Sequence, residues 1–428
     1  MKSMQQLVQD FLDEKLQQGE LQEKAFVGIS LFHSDRMLFD ITYNTSPSSR
    51  FCIGSISKSF AATAFLKACE DGFVSLGQPI AHQGLDLRFA DQVLTEQLTP
   101  LDILVHRTGL PPHDLLWIKN LISEKSQLLD KFSHVRPIPG SFRHGFSYSN
   151  LTYSLLSLLV EQKTHKRYAD FLSDEVLRPL SLRDAACCPP DCADLSVIDA
   201  AGGVVSSLTD LTEWGRLHLS TLSSSKPTSV ISLRHHKKMF EPLMAVDAQL
   251  PVILTGLQWT RPGLHYGFGW FVNQRNSLLL FHPGFLKDSS ALIFLLPTQD
   301  LGGVVLTNTT LSPFPGALFK AIHDFFSVPV QSSNAERNIT GTYRNPVYGE
   351  IEVSRSEATG RPQVTIFNCT CELFAAGPTT YRFHLPLMGL TIPLNMEFHF
   401  ADSSAADKVC VPLSLGEGAE PEEFARVG

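Results

Sequence analysis

The chain has 428 residues, 43% hydrophobic and 18% charged, enough apolar material for two domains with a large core. Its net charge of −8 argues against a nucleic-acid partner. No apolar run approaches the ~18 residues of a membrane span, so neither a transmembrane helix nor a membrane partner is expected.

In chain order, the N-terminus lacks the apolar core of a signal peptide. Met4, Leu7, Val8, Phe11, Leu12 and Leu16 instead share one face of a predicted helix over 4–17. A hairpin follows, Phe26 to Phe32 and Met37 to Ile41, turning at Ser34-Asp35. A buried helix is predicted over about 56–70, because Phe60, Ala61, Ala62, Ala64, Phe65, Leu66 and Ala68 leave it apolar nearly all round. Glu70-Asp71-Gly72 ends it. Thr99-Pro100 reads as the cap and first residue of a short helix to Val105. A largely helical region then runs to about Leu219, including an apolar helix from Leu151 to Val160 and a capping-box spacing at Ser207-Leu208-Thr209-Asp210. The basic run Arg234-His235-His236-Lys237-Lys238 is read as a solvated helix face or loop. The segment Ser223 to Gly263 is irregular and reads as a lid or specificity segment.

Strands are expected over Gly267–Val272, Leu278–His282, Leu292–Leu296 and Val304–Asn308, with a helix from Ala317 to Phe326. They must pair with the N-terminal hairpin, so the first domain, 1–330, folds from both ends of its sequence. After a polar linker near Ser327–Asn334, short strands separated by turns predict an all-β accessory domain over 335–428. Its role is packing against the core or walling the site.

Cysteines 52, 69, 187, 188, 192, 369, 371 and 410 show no paired zinc-ligand spacing; Cys188 and Cys192 could form a clip. Free thiols in a reducing compartment, with no metal and no cofactor, are expected. The sequon Asn150-Leu151-Thr152 falls on a candidate site residue, which also favours a cytoplasmic location.

Three motifs carry chemistry. In Gly54-Ser55-Ile56-Ser57-Lys58, one helical turn places the Lys58 amine beside the Ser55 hydroxyl. Serine needs a base, and a desolvated lysine with a lowered pKa can be one. The bland alternative makes Ser55 the cap of a core helix. The same spacing at Ser223-Ser224-Ser225-Lys226 lies in a stretch read as a loop. Tyr148-Ser149-Asn150 precedes the Leu151–Val160 helix; a tyrosine can relay protons and an asparagine amide can hold a carbonyl. His282-Pro283-Gly284-Phe285 lies between two apolar runs, where a strand edge ending in glycine lets backbone N–H groups approach an oxyanion. Tyr343-Arg344-Asn345 and His82-Gln83-Gly84 repeat the last two patterns, but only the first set occurs in order at element boundaries.

Together with Leu101-Asp102-Ile103-Leu104-Val105-His106-Arg107-Thr108-Gly109-Leu110-Pro111, Ala201-Gly202-Gly203-Val204-Val205-Ser206-Ser207 and Tyr266-Gly267-Phe268-Gly269-Trp270, these motifs resemble the serine β-lactamase-like family of class C β-lactamases, DD-peptidases and esterases, from about Phe26 to Ser327. The resemblance implies an α+β fold: an antiparallel sheet flanked by helices, an all-helical region, and a small C-terminal all-β domain. It implies Ser55 as nucleophile, Lys58 and Tyr148 as its proton acceptors, and Asn150, His282, Gly284 and Phe285 on the substrate and oxyanion side. His282 would orient Tyr148 or contact substrate; its alternative is a histidine packed at a strand end.

Penicillin-recognising members carry Lys-Thr-Gly or Lys-Ser-Gly where this chain has His282-Pro283-Gly284. A proline supplies neither hydroxyl nor N–H for a substrate carboxylate. The resemblance therefore implies an esterase, amidase or acyltransferase using a small-molecule ester, amide or thioester. A role in secondary-metabolite biosynthesis and an acyl chain on a carrier protein fit the same branch. The competing readings are a non-catalytic binding or scaffold protein and a D-amino-acid peptidase.

Overall fold

The computed structural model describes residues 3–190, 195–224, 230–246, 257, 260, 263–274, 277–286, 288–327, 338–356, 362–375, 380–387, 390–400, 405–411, 413 and 422–427. Two compact units divide the chain, Met1–His323 and Asp324–Gly428.

Among the described residues, the first unit has eleven strands: β1 (Val27–Phe32), β2 (Met37–Tyr43), β3 (Arg50–Cys52), β4 (Ala186–Cys187), β5 (Val204–Ser207), β6 (Met244–Ala245), β7 (Leu264–Tyr266), β8 (Phe271–Asn273), β9 (Leu279–Leu286), β10 (Ser289–Leu296) and β11 (Leu301–Thr307). Eight form one antiparallel sheet in the order β2-β1-β11-β10-β9-β8-β7-β6. The N-terminal hairpin pairs with β11, Val27 opposite Thr307, so the sheet closes between distant ends of the sequence. Its central strands β1, β11 and β10 are buried along their whole length because both faces are covered. Ile29, Leu31, Leu292, Phe294 and Val305 pack with Val8 and Leu12 of the helix Met4–Gln17 and with Leu318 and Ile322 of the helix Phe314–Ser327. Phe32, Ile293, Leu295 and Val304 face the other core, with Leu211 and Trp214 of the helix Leu208–Ser224. That second core also takes in the helix Ser57–Glu70, buried over most of its length, and the helix Asn150–Thr164.

A small sheet, β3-β5-β4, leads into the buried helix. The helix ends as expected, with Gly72 at φ +78°. Thr99 and Asp102 form a complete capping box around Pro100–Leu104. Of the box expected at Ser207, only half forms: Ser207 Oγ accepts from Asp210 N at 3.1 Å. The Asp210 carboxylate turns away to accept from the backbone of Asp184 and Ala185.

Several expectations are corrected. The strand expected over Gly267–Val272 is two strands, β7 and β8, reversed by Gly267 N donating to Trp270 O at 2.9 Å. Gly269 requires its residue type: at φ +74°, an added Cβ would lie 2.5 Å from the Lys58 carbonyl oxygen. The reversal thus seats the sheet against the buried helix. The strand expected to stop at His282 runs on through Pro283 and Gly284 to Leu286, so this motif lies inside β9 and not at an element boundary. Ser223 and Ser224 form the last turn of a helix rather than a loop. The basic run is helical over Leu233–Lys238, but His236 is buried and its Nε2 lies 2.6 Å from Nδ1 of His218. Nearly half of the proposed lid, Cys192 of the proposed clip, and most of the linker lie outside the described residues.

The second unit is the expected all-β domain, one nine-stranded antiparallel sheet between Gly341 and Val427. Tyr343, Ile351, Phe383, Phe398 and Phe424 form its core. Tyr343 of the repeated Tyr-x-Asn pattern is simply part of that core, its hydroxyl donating to Ile339 O at 2.8 Å.

Candidate active site

Four segments converge on Ser55. Strand β3 hands the chain to a 3₁₀ turn, Gly54–Ile56, where Gly54 adopts φ +51°. Ser57 Oγ accepts from Val204 N at 3.0 Å and ties this turn to β5. The helix then presents Lys58 one turn from Ser55. The Lys58 side chain is wholly buried, and its Nζ lies 3.1 Å from Ser55 Oγ, 2.8 Å from Asn150 Oδ1 and 3.0 Å from Ala201 O.

Burial favours the neutral form of this amine. Burial holds the Lys58 pKa well below its ordinary value, against an opposing pull from Asp114. A neutral amine has two N–H donors and one lone pair. The Asn150 and Ala201 oxygens can only accept, so they take the two hydrogens. The lone pair is left facing the Ser55 hydroxyl.

Asn150 is held on both ends of its amide, with one of its two N–H donors left over for a substrate carbonyl. Its oxygen holds Lys58, and its Nδ2 donates to Asp114 Oδ1 at 3.1 Å. The same Asp114 oxygen accepts from Trp117 Nε1 at 2.8 Å.

Tyr148 lies against the pair, its ring centroid 4.6 Å from Lys58 Nζ. Its hydroxyl is buried without a hydrogen bond of ordinary geometry. Burial pushes its pKa well above the usual tyrosine value, while the neighbouring Ser55 side chain pulls the other way. The resting group is a phenol. His106, φ +56°, packs its ring 4.3 Å from that of Tyr148 and accepts from Ser149 N through Nδ1 at 3.3 Å. The loops carrying both are pinned by buried Asp102, which accepts from Arg107 Nε at 2.7 Å and from Arg143 Nη2 at 2.9 Å.

His282 does not meet the expectation that it orients Tyr148 or contacts substrate. It is fully buried, and its Nδ1 lies 2.7 Å from the carbonyl oxygen of Pro283. A carbonyl accepts, so Nδ1 carries the proton, and Nε2 accepts from the Tyr266 hydroxyl at 3.0 Å. Burial, joined by Lys58 whenever that amine is protonated, lowers its pKa to about 3 and keeps the ring neutral. It braces β9 against β7 behind the site.

Gly284 and Phe285 lie in β9, beside the nucleophile turn. In an antiparallel ladder, hydrogen-bonded and non-bonded pairs alternate. Pro283, opposite Leu292, has no N–H to give and occupies a non-bonded pair. Two residues on, Phe285 opposite Ser290 is non-bonded too, so its N–H points away from β10. That side faces the nucleophile turn: an added Cβ on Gly54 would lie 2.7 Å from Phe285 N. The N–H groups of Ser55 and Phe285 thus flank one edge beside the Ser55 hydroxyl.

Sequence reasoning missed Asp114, Ala201 O, His106 as a neighbour of Tyr148, and Tyr266 as the partner of His282. His106 and Tyr266 lie in segments that carried the family resemblance, which was the available signal.

The chain belongs to the β-lactamase family: the family model described as Beta-lactamase matches residues 6–324. It is similar to Protein flp of Staphylococcus aureus (strain MW2), 25% identical over 326 residues, covering 71% of this chain and 63% of that protein. It is also similar to the unguisins hydrolase ungD' of Aspergillus campestris, 24% identical over 307 residues, covering 63% of this chain and 54% of the relative. The chain therefore spans less than two thirds of the length of these curated relatives. The octameric penicillin-binding protein homologue from Pyrococcus abyssi shares the fold, with a TM-score of 0.60 at 18% identity over 97% of this chain and 99% of that one.

Proposed function

We propose that the chain is a serine hydrolase or acyltransferase that works through an acyl-enzyme on a small-molecule ester, amide or thioester. The observation that carries this reading is the buried Lys58 amine 3.1 Å from Ser55 Oγ, whose other two contacts are oxygens that can only accept. Lys58 takes the Ser55 proton as Oγ attacks the acyl carbonyl. The Ser55 and Phe285 N–H groups bind the developing oxyanion, each donor contributing about 10²–10³ in rate. Tyr148 passes a proton to the leaving alkoxide, amine or thiolate as its bond to the acyl carbon breaks. Water or an alcohol then attacks the ester on Ser55, gives up its proton through the same relay, and releases the acid or a new ester.

Penicillins fit this cleft poorly. His282 is neutral and buried where penicillin-recognising members place a cation, and Pro283 has no hydroxyl. The hydrolase relative from Aspergillus supports hydrolysis, and a metabolic substrate, free or tethered to a carrier protein, suits this branch. A panel of p-nitrophenyl esters and acyl thioesters, each assayed with and without an added alcohol, tests the reading. Turnover of part of the panel, diversion of product to the alcohol ester for a transferase, and negligible hydrolysis of benzylpenicillin are expected. No turnover of any acyl donor would overturn it.

A further inference from the structure

Asp114 stands at the start of a short helix, Leu115–Ile118, beside the site, yet no motif announces it. Its carboxylate oxygen takes N–H bonds from Asn150 at 3.1 Å and Trp117 at 2.8 Å. Those two bonds have a consequence for Lys58. An asparagine amide has two orientations, one presenting Oδ1 to a neighbour and the other presenting Nδ2. Only the first gives the Lys58 amine an acceptor. Asp114, which can only accept when ionised, fixes that orientation because it requires Nδ2 on its own side. Trp117 in turn fixes Asp114.

Charge adds a second effect. The titratable side chains acting on or acted on by Lys58 are Ser55's partner Tyr148, Asp114, His106 and His282, with the Tyr153 ring 5.5 Å from Nζ. Burial keeps both histidines neutral and both tyrosines protonated. Among the described residues, Asp114 is thus the carboxylate whose charge acts on Lys58.

We propose that Asp114 is a positioning residue of the acylation machinery, turning the Asn150 amide so that its oxygen holds the Lys58 amine with its lone pair on Ser55, and supplying the fixed negative charge beside that amine. This inference rests on the acyl-enzyme reading above for its kinetic consequences, but its geometric core does not depend on turnover.

Two substitutions separate the hydrogen bond from the charge. In Asp114→Asn an amide oxygen can still accept from Asn150 and Trp117, and the charge is gone. In Asp114→Ala both are gone. Lys58 acts when neutral, so the acid limb of the kcat/KM profile reports its pKa. Removing the anion lowers that pKa, and both variants should shift the limb to lower pH. Asp114→Ala should in addition lose plateau kcat by about 10²-fold, the scale of an ångström-level misplacement of a catalytic group. Asp114→Asn should lose clearly less. A plateau kcat for Asp114→Ala equal to wild type, or an acid limb that stays in place in both variants, overturns the proposal while leaving the acyl-enzyme reading intact. A crystal structure of Asp114→Ala beside wild type needs no activity: Asn150 turned or released from Lys58 is expected, and an Asn150 amide unmoved on Lys58 overturns the inference even if no acyl donor is ever turned over.

Discussion

Gly284→Ala is the sharpest perturbation the structure offers. Strand β9 can pass the nucleophile turn only because residue 284 has no side chain. A Cβ there would fall inside the contact shell of the Ile53 carbonyl oxygen, 2.9 Å from Ile53 C and 3.3 Å from Ser55 N. Neither side gives way cheaply. Ile53 N is bonded to Val204 O at 3.2 Å, and Gly284 is paired in the ladder with Ala291. Relief requires β9 and the turn to part by about an ångström, a displacement that typically costs about 10²-fold in rate. The same movement separates the Phe285 N–H from the Ser55 N–H, and one lost oxyanion donor alone costs about 10²–10³. Overpacking of this kind destabilises by about 1–3 kcal/mol, which for a unit of this size lowers Tm by roughly 2–4 °C per kcal/mol. The expected outcome is a folded protein, melting several degrees low, with kcat on a p-nitrophenyl ester reduced about 10²–10³-fold. Thermal melting and steady-state kinetics on one purified variant decide it. A kcat within a few-fold of wild type would refute the placement of the oxyanion donors at the junction of β9 with the nucleophile turn.

Three further outcomes are expected. Tyr148→Phe keeps the ring that packs on His106 but removes the proton relay, so kcat should fall about 10²–10⁴-fold while the melting curve barely moves; the reverse pattern would make Tyr148 a core aromatic only. The kcat/KM profile should rise with pH through a pKa well below the 10.5 of ordinary lysine, since burial depresses Lys58, and no decline below pH 10 is expected from Tyr148, whose pKa lies well above 10.0; an acid limb near the ordinary lysine value would contradict Lys58 as base. Asp102→Asn should destabilise by about 2–3 kcal/mol, less than the 3–5 of a fully enclosed pair, because the Arg107 and Arg143 side chains keep 25% and 38% of their exposure. Burial raises the Asp102 pKa, but bonds from Arg143, Thr99 and Arg107 outweigh it and bring it below 3.8. The stability it contributes is complete above that value and lost as pH falls through the lowered one, so urea titrations should show a shallower acid decline for the variant than for wild type.

What could be read from the sequence, and what could not, follows from how each feature is encoded. Ser55 and Lys58 were legible because helical spacing alone brings them together and the apolar residues after them identify a buried helix. The sheet was legible from its apolar strands, and its closure from both chain ends follows from the lack of other partners for the hairpin. The β7–β8 reversal was not, because Phe268 and Trp270 continue the apolar pattern while the turn is dictated by Gly269 meeting the Lys58 carbonyl, a contact between residues far apart in sequence. Pro283 reads locally as a strand breaker, yet it sits in β9 at a position where the ladder needs no N–H. The orientation of His282 is set by Tyr266 on β7, a strand that was not foreseen as separate. Asp114 precedes a four-residue helix with no periodicity to mark it, and Ala201, though in a segment that carried the resemblance, contributes a backbone oxygen, which side-chain patterns do not display.

The central claim is that Ser55 carries the acyl group. Intact-mass spectrometry after brief exposure to a fluorophosphonate, and separately to reactive p-nitrophenyl esters, tests it most directly, with peptide mapping of the adduct and Ser55→Ala as control. One adduct per chain mapped to Ser55, absent from a Ser55→Ala protein of unchanged melting temperature, is the predicted result; no adduct on wild type, or an equal adduct on Ser55→Ala, would contradict the account.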